Sequence, residues 1–404
     1  MTDWSEELTF LLKKFGKTAG SAARAVKSVL DDDPYELLCY RGFGSSTHAW
    51  IHGRVVEKRD IGAATDGDST LRNLLNTYRR ADSDPLPSAG VAIKSGDAVL
   101  PLSSDDEGYF GGMVELPLTD SDDEWREYSV EIVSPPNPSG DPVKGSGEIL
   151  TPSKTARFGV ISDIDDTVIQ SRVSSFLQAA RTVMLGNART RLPFPGVAAF
   201  YRALRDGAAS DEKNPVFYVS SSPWNIYDVI AEFMELQNIP KGPIVLRDWD
   251  MDFGAFAGSR HFDHKGVAIR NILGLYPSLP FILIGDSSQH DPEIYRQIVS
   301  EFPGRIRAIY IRDVIRSPER SSSITRLANE ILEAKSVLVL SDDTLGAAKH
   351  AVEQGWISEK TLPEIGEEKR ADEGTDGSKV PAPEGGKPGT TAPPTVVGES
   401  PPAA

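Results

Sequence analysis

The chain has 404 residues, 39% hydrophobic and 25% charged; at roughly 100–200 residues per domain this suggests two or three globular units with a sizeable core, and excludes a fibrous or membrane-embedded protein. Its 43 Lys and Arg against 59 Asp and Glu leave a net charge of −16, which excludes general affinity for the phosphate backbone, so no nucleic-acid partner is expected. The single cysteine, Cys39, excludes an internal disulfide framework; with no long apolar run and no secretory pattern, the expected location is cytoplasmic.

Over residues 1–33 the apolar positions Trp4, Leu8, Leu11, Leu12, Phe15, Ala19, Ala22, Ala23, Val26 and Val29 recur at three and four, which predicts an amphipathic helix. Asp31, Asp32, Asp33 and Pro34 end it. Lys13, Lys14, Lys17, Arg24 and Lys27 accompany the apolar stripe, so the helix either lies on an anionic membrane surface or packs on the rest of the protein or a partner.

Residues 34–153 carry short apolar runs ("AWIHGRVV", "GVAIK", "AVLPL", "YSVEIV") between Gly, Pro, Asp and Ser clusters, the texture of an antiparallel β-sandwich or barrel. We read them as a sandwich, with "LSSDDEGYFGGMVEL" as a hairpin turning at Asp105–Gly108 and a helical interruption over 71–81.

From 154 to 360, strand-like runs alternate with helical patterns: "FGVIS", "VFYVS", "PIVL", "FILIG", "RAIYI" and "SVLVLS". This predicts a Rossmann-like α/β domain with a parallel sheet. Residues 361–404 are expected to be a disordered tail, since no Leu, Ile or aromatic residue follows Gly366.

In a parallel sheet, residues just past the carboxyl ends of the strands face the binding crevice. Four such places hold candidate chemistry. "SDIDDTVIQS" supplies Asp163, Asp165, Asp166 and Thr167; "YVSSSPWN" supplies Ser220, Ser221 and Ser222 at a helix start, where free N–H groups suit a phosphate. "DHKGVAIRNIL" supplies Lys265, a cation for phosphoryl oxygens, and "FILIGDSSQHDPEIY" supplies Asp286 and Asp291. Each has a bland alternative: solvated loops for the acidic turns, and for Asp291, which precedes Pro292, a helix cap. His261, His264 and His290 match no zinc spacing and read as surface residues, and Trp249 lines the crevice entrance or simply packs.

The ordered set "DIDDT", "VSSSP", "DHK" and "GDSSQHD" resembles the haloacid dehalogenase-like superfamily, and the longer motifs over about 157–316 resemble the catalytic domain of the actin-patch-associated phosphatidate phosphatases and their bacterial relatives. The resemblance implies a phosphatidate phosphatase-like phosphoric monoester hydrolase. Its site would have Asp163 as nucleophile, Asp165 as acid and base, and Ser220 and Lys265 on the phosphoryl group with Thr167, Ser221 and Ser222. A phosphate monoester resists anionic attack, so chemistry asks for the same parts and for a cation. Mg²⁺ suits an oxygen-rich site, and we assign it to Asp163, the Asp165 carbonyl and Asp286, with Asp291 a ligand or a supporting group.

The expected substrate is a phospholipid, phosphatidate, cleaved to diacylglycerol and inorganic phosphate. One alternative keeps the chemistry on a soluble sugar, nucleotide or protein phosphate. Another is a membrane- or partner-binding adaptor with a vestigial site. The insertion between Gln170 and Pro195 is too short for a full cap domain, and an uncovered crevice admits bulky substrates.

Overall fold

The computed structural model describes residues 33–58, 83–118, 123–165, 167–168, 194–247, 264–314, 317–334, 336–341, 343–374 and 395–397. The amphipathic pattern of 1–33, the stretch 71–81, Asp166, most of the 170–195 insertion, Trp249 and His261 lie outside them.

Eight strands build the first unit: β1 (Tyr35–Cys39), β2 (Gly42–Gly44), β3 (His48–Glu57), β4 (Gly90–Ser95), β5 (Ala98–Ser103), β6 (Tyr109–Glu115), β7 (Trp125–Ser134) and β8 (Lys144–Leu150). Their order is β1-β3-β2-β8-β7-β4-β5, with β6 also on β3. Pairing is antiparallel except for β2 with β8. Where the sequence suggested a sandwich of two sheets, hydrogen bonding joins all eight strands in one. In β7 the two-residue period is plain: Tyr128, Val130 and Ile132 are buried while Glu127 and Ser129 face out. The turn at Asp105–Gly108 forms, with Asp105 Oδ1 accepting from the Glu107 and Tyr109 amides at 2.9 and 2.8 Å. It does not close the expected hairpin, because β5 pairs with β4 whereas β6 pairs with β3.

The second unit has β9 (Gly159–Asp163), α1 (Val197–Asp206), β10 (Val216–Pro223), α2 (Tyr227–Leu236), β11 (Ile244–Arg247), α3 (His264–Leu275), β12 (Phe281–Asp286) and α4 (Asp291–Glu301). It continues through β13 (Ile306–Arg312), α5 (Pro318–Glu333), β14 (Val337–Ser341), α6 (Thr344–Glu353), α7 (Leu362–Gly374) and β15 (Thr395–Val397). Every strand run read from the sequence forms. The order β11-β10-β9-β12-β13-β14-β15 is parallel up to β14, with β15 antiparallel on β14. The first six strands therefore wind outward both ways from β9 and β12, the doubly wound order whose switch point opens a crevice between those two.

Helix α7 and strand β15 fall where a disordered tail was expected. The helix is held through polar contacts as much as apolar ones. Glu368 and Asp372 accept the Ala199 and Gly196 amides at 2.8 and 2.9 Å at the start of α1, Glu364 and Glu368 pair with Arg202, and Ile365 is buried. A reading that weighed only Leu, Ile and aromatic residues beyond Gly366 had no signal for this.

The two units share one buried cluster. Tyr40, Trp50 and His52 of the β unit pack their rings on Trp224, with His52 4.1 Å from it between ring centroids; Tyr40 also meets Tyr227, and Tyr109 stacks on His52 from within the β unit. Tyr276 donates to the Gly44 or Leu150 carbonyl at 3.2 and 3.3 Å. A cleft of about 610 Å³ between the units, lined by Ser45, Arg126, Thr151, Tyr276 and Leu279 among others, lies at the amino end of β12, away from the crevice at its carboxyl end.

Burial in this aromatic box holds the His52 imidazole neutral, with its pKa lowered to about 3. Its unfolded value is about 6.5, so stability is intact above that pH and falls by about 1.4 kcal/mol per unit as pH drops toward 3, because only the unfolded chain takes the proton. Urea unfolding at pH 6.5 and 4.5 should show wild type losing about 2–3 kcal/mol more than His52→Phe. Equal losses would contradict this placement of His52.

Candidate active site

Strands β9, β10 and β12 lie side by side in register, with Asp163 opposite Val219 and Ile284 opposite Ser162. Hence Asp163 and Asp286, which end β9 and β12, and Ser220, the residue after Val219 in β10, emerge at one rim. Asp163, Ser220, Asp286 and Asp291 are all fully buried, and Lys265 nearly so. The apolar strands drive this: "GVISD" and "FILIGD" are buried from end to end, so their last residues are carried below the surface with them.

Lys265, in the first turn of α3, lies 2.7 Å from Asp163 Oδ1 and 2.7 Å from Asp291 Oδ1. Asp291 opens α4 but does not cap it. Its Oδ2 instead accepts the Asp286 amide at 3.3 Å, so the carboxylate turns back into the crevice. Gly285 leaves room for this, since a Cβ there would sit 2.6 Å from Asp291 Oδ2. Thr167 Oγ1 donates to Asp163 Oδ2 at 3.4 Å, so it supports that carboxylate. Asp165 is folded onto the serines: the Ser220 hydroxyl donates to its Oδ2, and Ser222 Oγ to its Oδ1 at 3.2 Å. Ser221, between them, is exposed, as strand alternation requires, and His290 is exposed as well.

Charge in this pocket is out of balance. Burial, then the neighbouring Asp291 carboxylate, pushes the Asp163 carboxyl well above its ordinary value, while Lys265 pulls it back. Burial and Asp291 also raise Asp286, opposed by hydrogen bonds from Ser288. Burial alone would depress the Lys265 ammonium, but Asp163 and Asp291 outweigh it and raise its pKa.

Carboxylate oxygens of Asp163, Asp286 and Asp291 all lie within 4.8 Å of one another. Among the described residues Asp286 Oδ2 is buried with no hydrogen-bond partner. Three buried carboxylates, one ammonium and an unpartnered oxygen fit a hard divalent cation.

The sequence reading gave no role to Gln289 and Ser288, although both lie inside the late acidic motif. Gln289 Oε1 accepts from Lys265 at 3.0 Å and its Nε2 donates to the Asp165 carbonyl at 3.3 Å. Ser288 gives both its amide, at 2.5 Å, and its hydroxyl to Asp286 Oδ1. Gln289, an amide two residues before Asp291, carried no charge signal that could have marked it.

Sheet order and side chains together define a doubly wound α/β unit with an acidic, lysine-braced centre at its switch point. Residues 158–313 match the family model described as phosphatidate phosphatase APP1, catalytic domain. The resemblance read from the motifs is thus borne out over that stretch. The chain is 31% identical over 203 residues to phosphatidate phosphatase APP1 of Saccharomyces cerevisiae, covering 48% of this chain and 34% of that protein. It is 29% identical over 216 residues to an uncharacterized protein of Schizosaccharomyces pombe, covering 52% and 34%. It therefore spans about a third of the length of these relatives. Among solved structures, a carbohydrate acetylesterase from Xanthomonas citri aligns at 12% identity over 72% of each chain with a TM-score of 0.21, too low to carry any argument.

Proposed function

We propose that the chain is a Mg²⁺-dependent phosphomonoesterase that hydrolyses phosphatidate to diacylglycerol and inorganic phosphate. The observation that carries this is the meeting of Asp163, Ser220, Lys265, Asp286 and Asp291 at one strand rim, within the stretch that matches the phosphatase family.

Asp163 is the nucleophile. Its carboxylate oxygen bonds to phosphorus as the bond from phosphorus to the glycerol oxygen breaks, leaving an aspartyl-phosphate. Asp165 gives its proton to the departing alkoxide, then takes one from the water that cleaves the acyl phosphate and releases inorganic phosphate. Ser220 and Ser222 hydroxyls now held by Asp165 turn to the phosphoryl oxygens when substrate enters, which frees Asp165 for the leaving group. Lys265, already against Asp163, neutralises charge as the transition state forms. Asp163 and Asp286 would hold Mg²⁺ with the Asp165 carbonyl, and Asp291 supports Lys265 beside them. Bound there, the ion offsets the negative charge of nucleophile and phosphoryl group, allowing the two to approach.

A phospholipid substrate requires access to a bilayer. Among the described residues no helix is long and apolar enough to cross one. Peripheral contact through the basic, amphipathic pattern of 1–33 is the route we propose. Turnover of phosphatidate in mixed micelles, beside glucose 6-phosphate, AMP and a phosphopeptide, tests the substrate. We expect the lipid to be preferred at least about a hundredfold in kcat/KM, a margin of roughly 3 kcal/mol. Faster turnover of a soluble ester would replace the lipid with that class while leaving the chemistry in place.

A further inference from the structure

The acidic loop after β12 is clamped by a residue outside the stretch that matches the phosphatase family. Arg320 lies in the first turn of α5, behind the loop. Its Nε donates to the Ser287 carbonyl at 2.8 Å and its Nη2 to the Gln289 carbonyl at 2.6 Å. The same guanidinium forms a two-pronged ion pair with Glu293, with Nη1 on Oε1 and Nη2 3.1 Å from Oε2. One planar group thus joins α5, the start of α4 and two carbonyls of the intervening loop, a task a single ammonium cannot perform.

What the loop carries gives this clamp its meaning. Ser287 follows Asp286 directly, and Ser288 fixes the other Asp286 oxygen. Gln289, whose carbonyl Arg320 holds, spans Lys265 and the Asp165 carbonyl with its side chain. A second bolt fastens the same loop: Ser287 Oγ donates to Asp313 at 3.1 Å and accepts the Val314 amide at 3.0 Å. Arg320 touches none of the acidic cluster in this network; it reaches the cluster through the backbone at 287 and 289.

We propose that Arg320 is a positioning residue for divalent-ion binding: by fixing the Ser287 and Gln289 carbonyls it keeps the unpartnered Asp286 oxygen and the Gln289 side chain aligned on the centre. This rests on the metal-centre part of the function proposed above. Groups that orient the ligands of a metal typically change its affinity 10- to 100-fold when removed.

The test is Mn²⁺ binding to the full chain, followed by the paramagnetic resonance of the free ion, for wild type, Arg320→Met, Arg320→Lys and Arg320→Ala, with thermal unfolding of each. We expect the Mn²⁺ dissociation constant to rise about tenfold or more in Arg320→Met, and Arg320→Lys to stay near Met because it replaces at most one prong. Added guanidinium ion should recover part of the affinity in Arg320→Ala and none in Arg320→Met, whose side chain fills the space. Folded variants that bind Mn²⁺ as wild type does, while wild type binds it tightly, would overturn the role of Arg320 and leave the phosphatase reading standing. Wild type that hydrolyses phosphate esters without binding Mn²⁺ or needing Mg²⁺ would overturn both the metal reading and this one.

Discussion

Asp163→Asn is expected to abolish phosphatase turnover, by a factor on the order of 10⁴ or more, without lowering the stability of the protein. Both halves follow from one environment. The side chain is fully buried beside Asp291, and burial and that neighbour already disfavour its charge. An amide of the same shape removes the proposed nucleophile and a repelling charge together. Lys265 keeps its 2.7 Å partner in Asp291, so no unpaired ammonium is left behind. Turnover assays and urea unfolding without metal check the two halves. A variant that stays active would remove Asp163 from the chemistry, and a variant that is inactive but much less stable would make its role structural.

Lys265→Met should behave in the opposite sense on stability. Among the described residues the ammonium is the cation that meets both Asp163 and Asp291, and all three side chains are at most 5% exposed. Removing it leaves buried carboxylates without their counter-charge, a change that costs about 3–5 kcal/mol. Activity should fall by on the order of 10²–10³ as well, since in the mechanism proposed above the same charge faces the phosphoryl group in the transition state. Millimolar Mg²⁺ should recover part of the lost stability by binding the folded form, and should stabilise wild type less. Unfolding in urea with and without Mg²⁺ measures this. A variant as stable as wild type without Mg²⁺ would mean that the carboxylates are not jointly ionised around Lys265.

Much of this centre was legible in the sequence because it obeys two local rules. Buried parallel strands are near-continuous apolar runs, so "FGVIS", "VFYVS" and "FILIG" marked their own ends, and acidic or hydroxyl residues at those ends stood out. The structure gathers Asp163, Asp165, Thr167, Ser220, Ser222, Lys265, Asp286 and Asp291, and leaves Ser221 outside. Whether Asp291 caps α4 or faces the crevice depended on a side-chain direction, which no spacing encodes. Gln289 and Arg320 act through a neutral amide and through backbone carbonyls, contacts without a residue pattern.

The β unit was harder to read for a related reason. Alternation fixes which face of a strand is buried but not which strand it joins, so the turn at Asp105–Gly108 was visible while the partners of β5 and β6 were not. Helix α7 escaped because its contacts with α1 are carboxylates on backbone amides and on Arg202, and a composition rule counts such residues toward disorder.

The most direct test of the account is to capture the phosphoenzyme. Wild type mixed with phosphatidate labelled in its phosphate, in the presence of Mg²⁺, and quenched in acid within one turnover should carry label on the peptide containing Asp163. Asp163→Asn should carry none, and chelation of Mg²⁺ before mixing should prevent labelling of wild type. Full turnover with no acid-stable label at any time, or label on a peptide from elsewhere in the chain, would contradict the account.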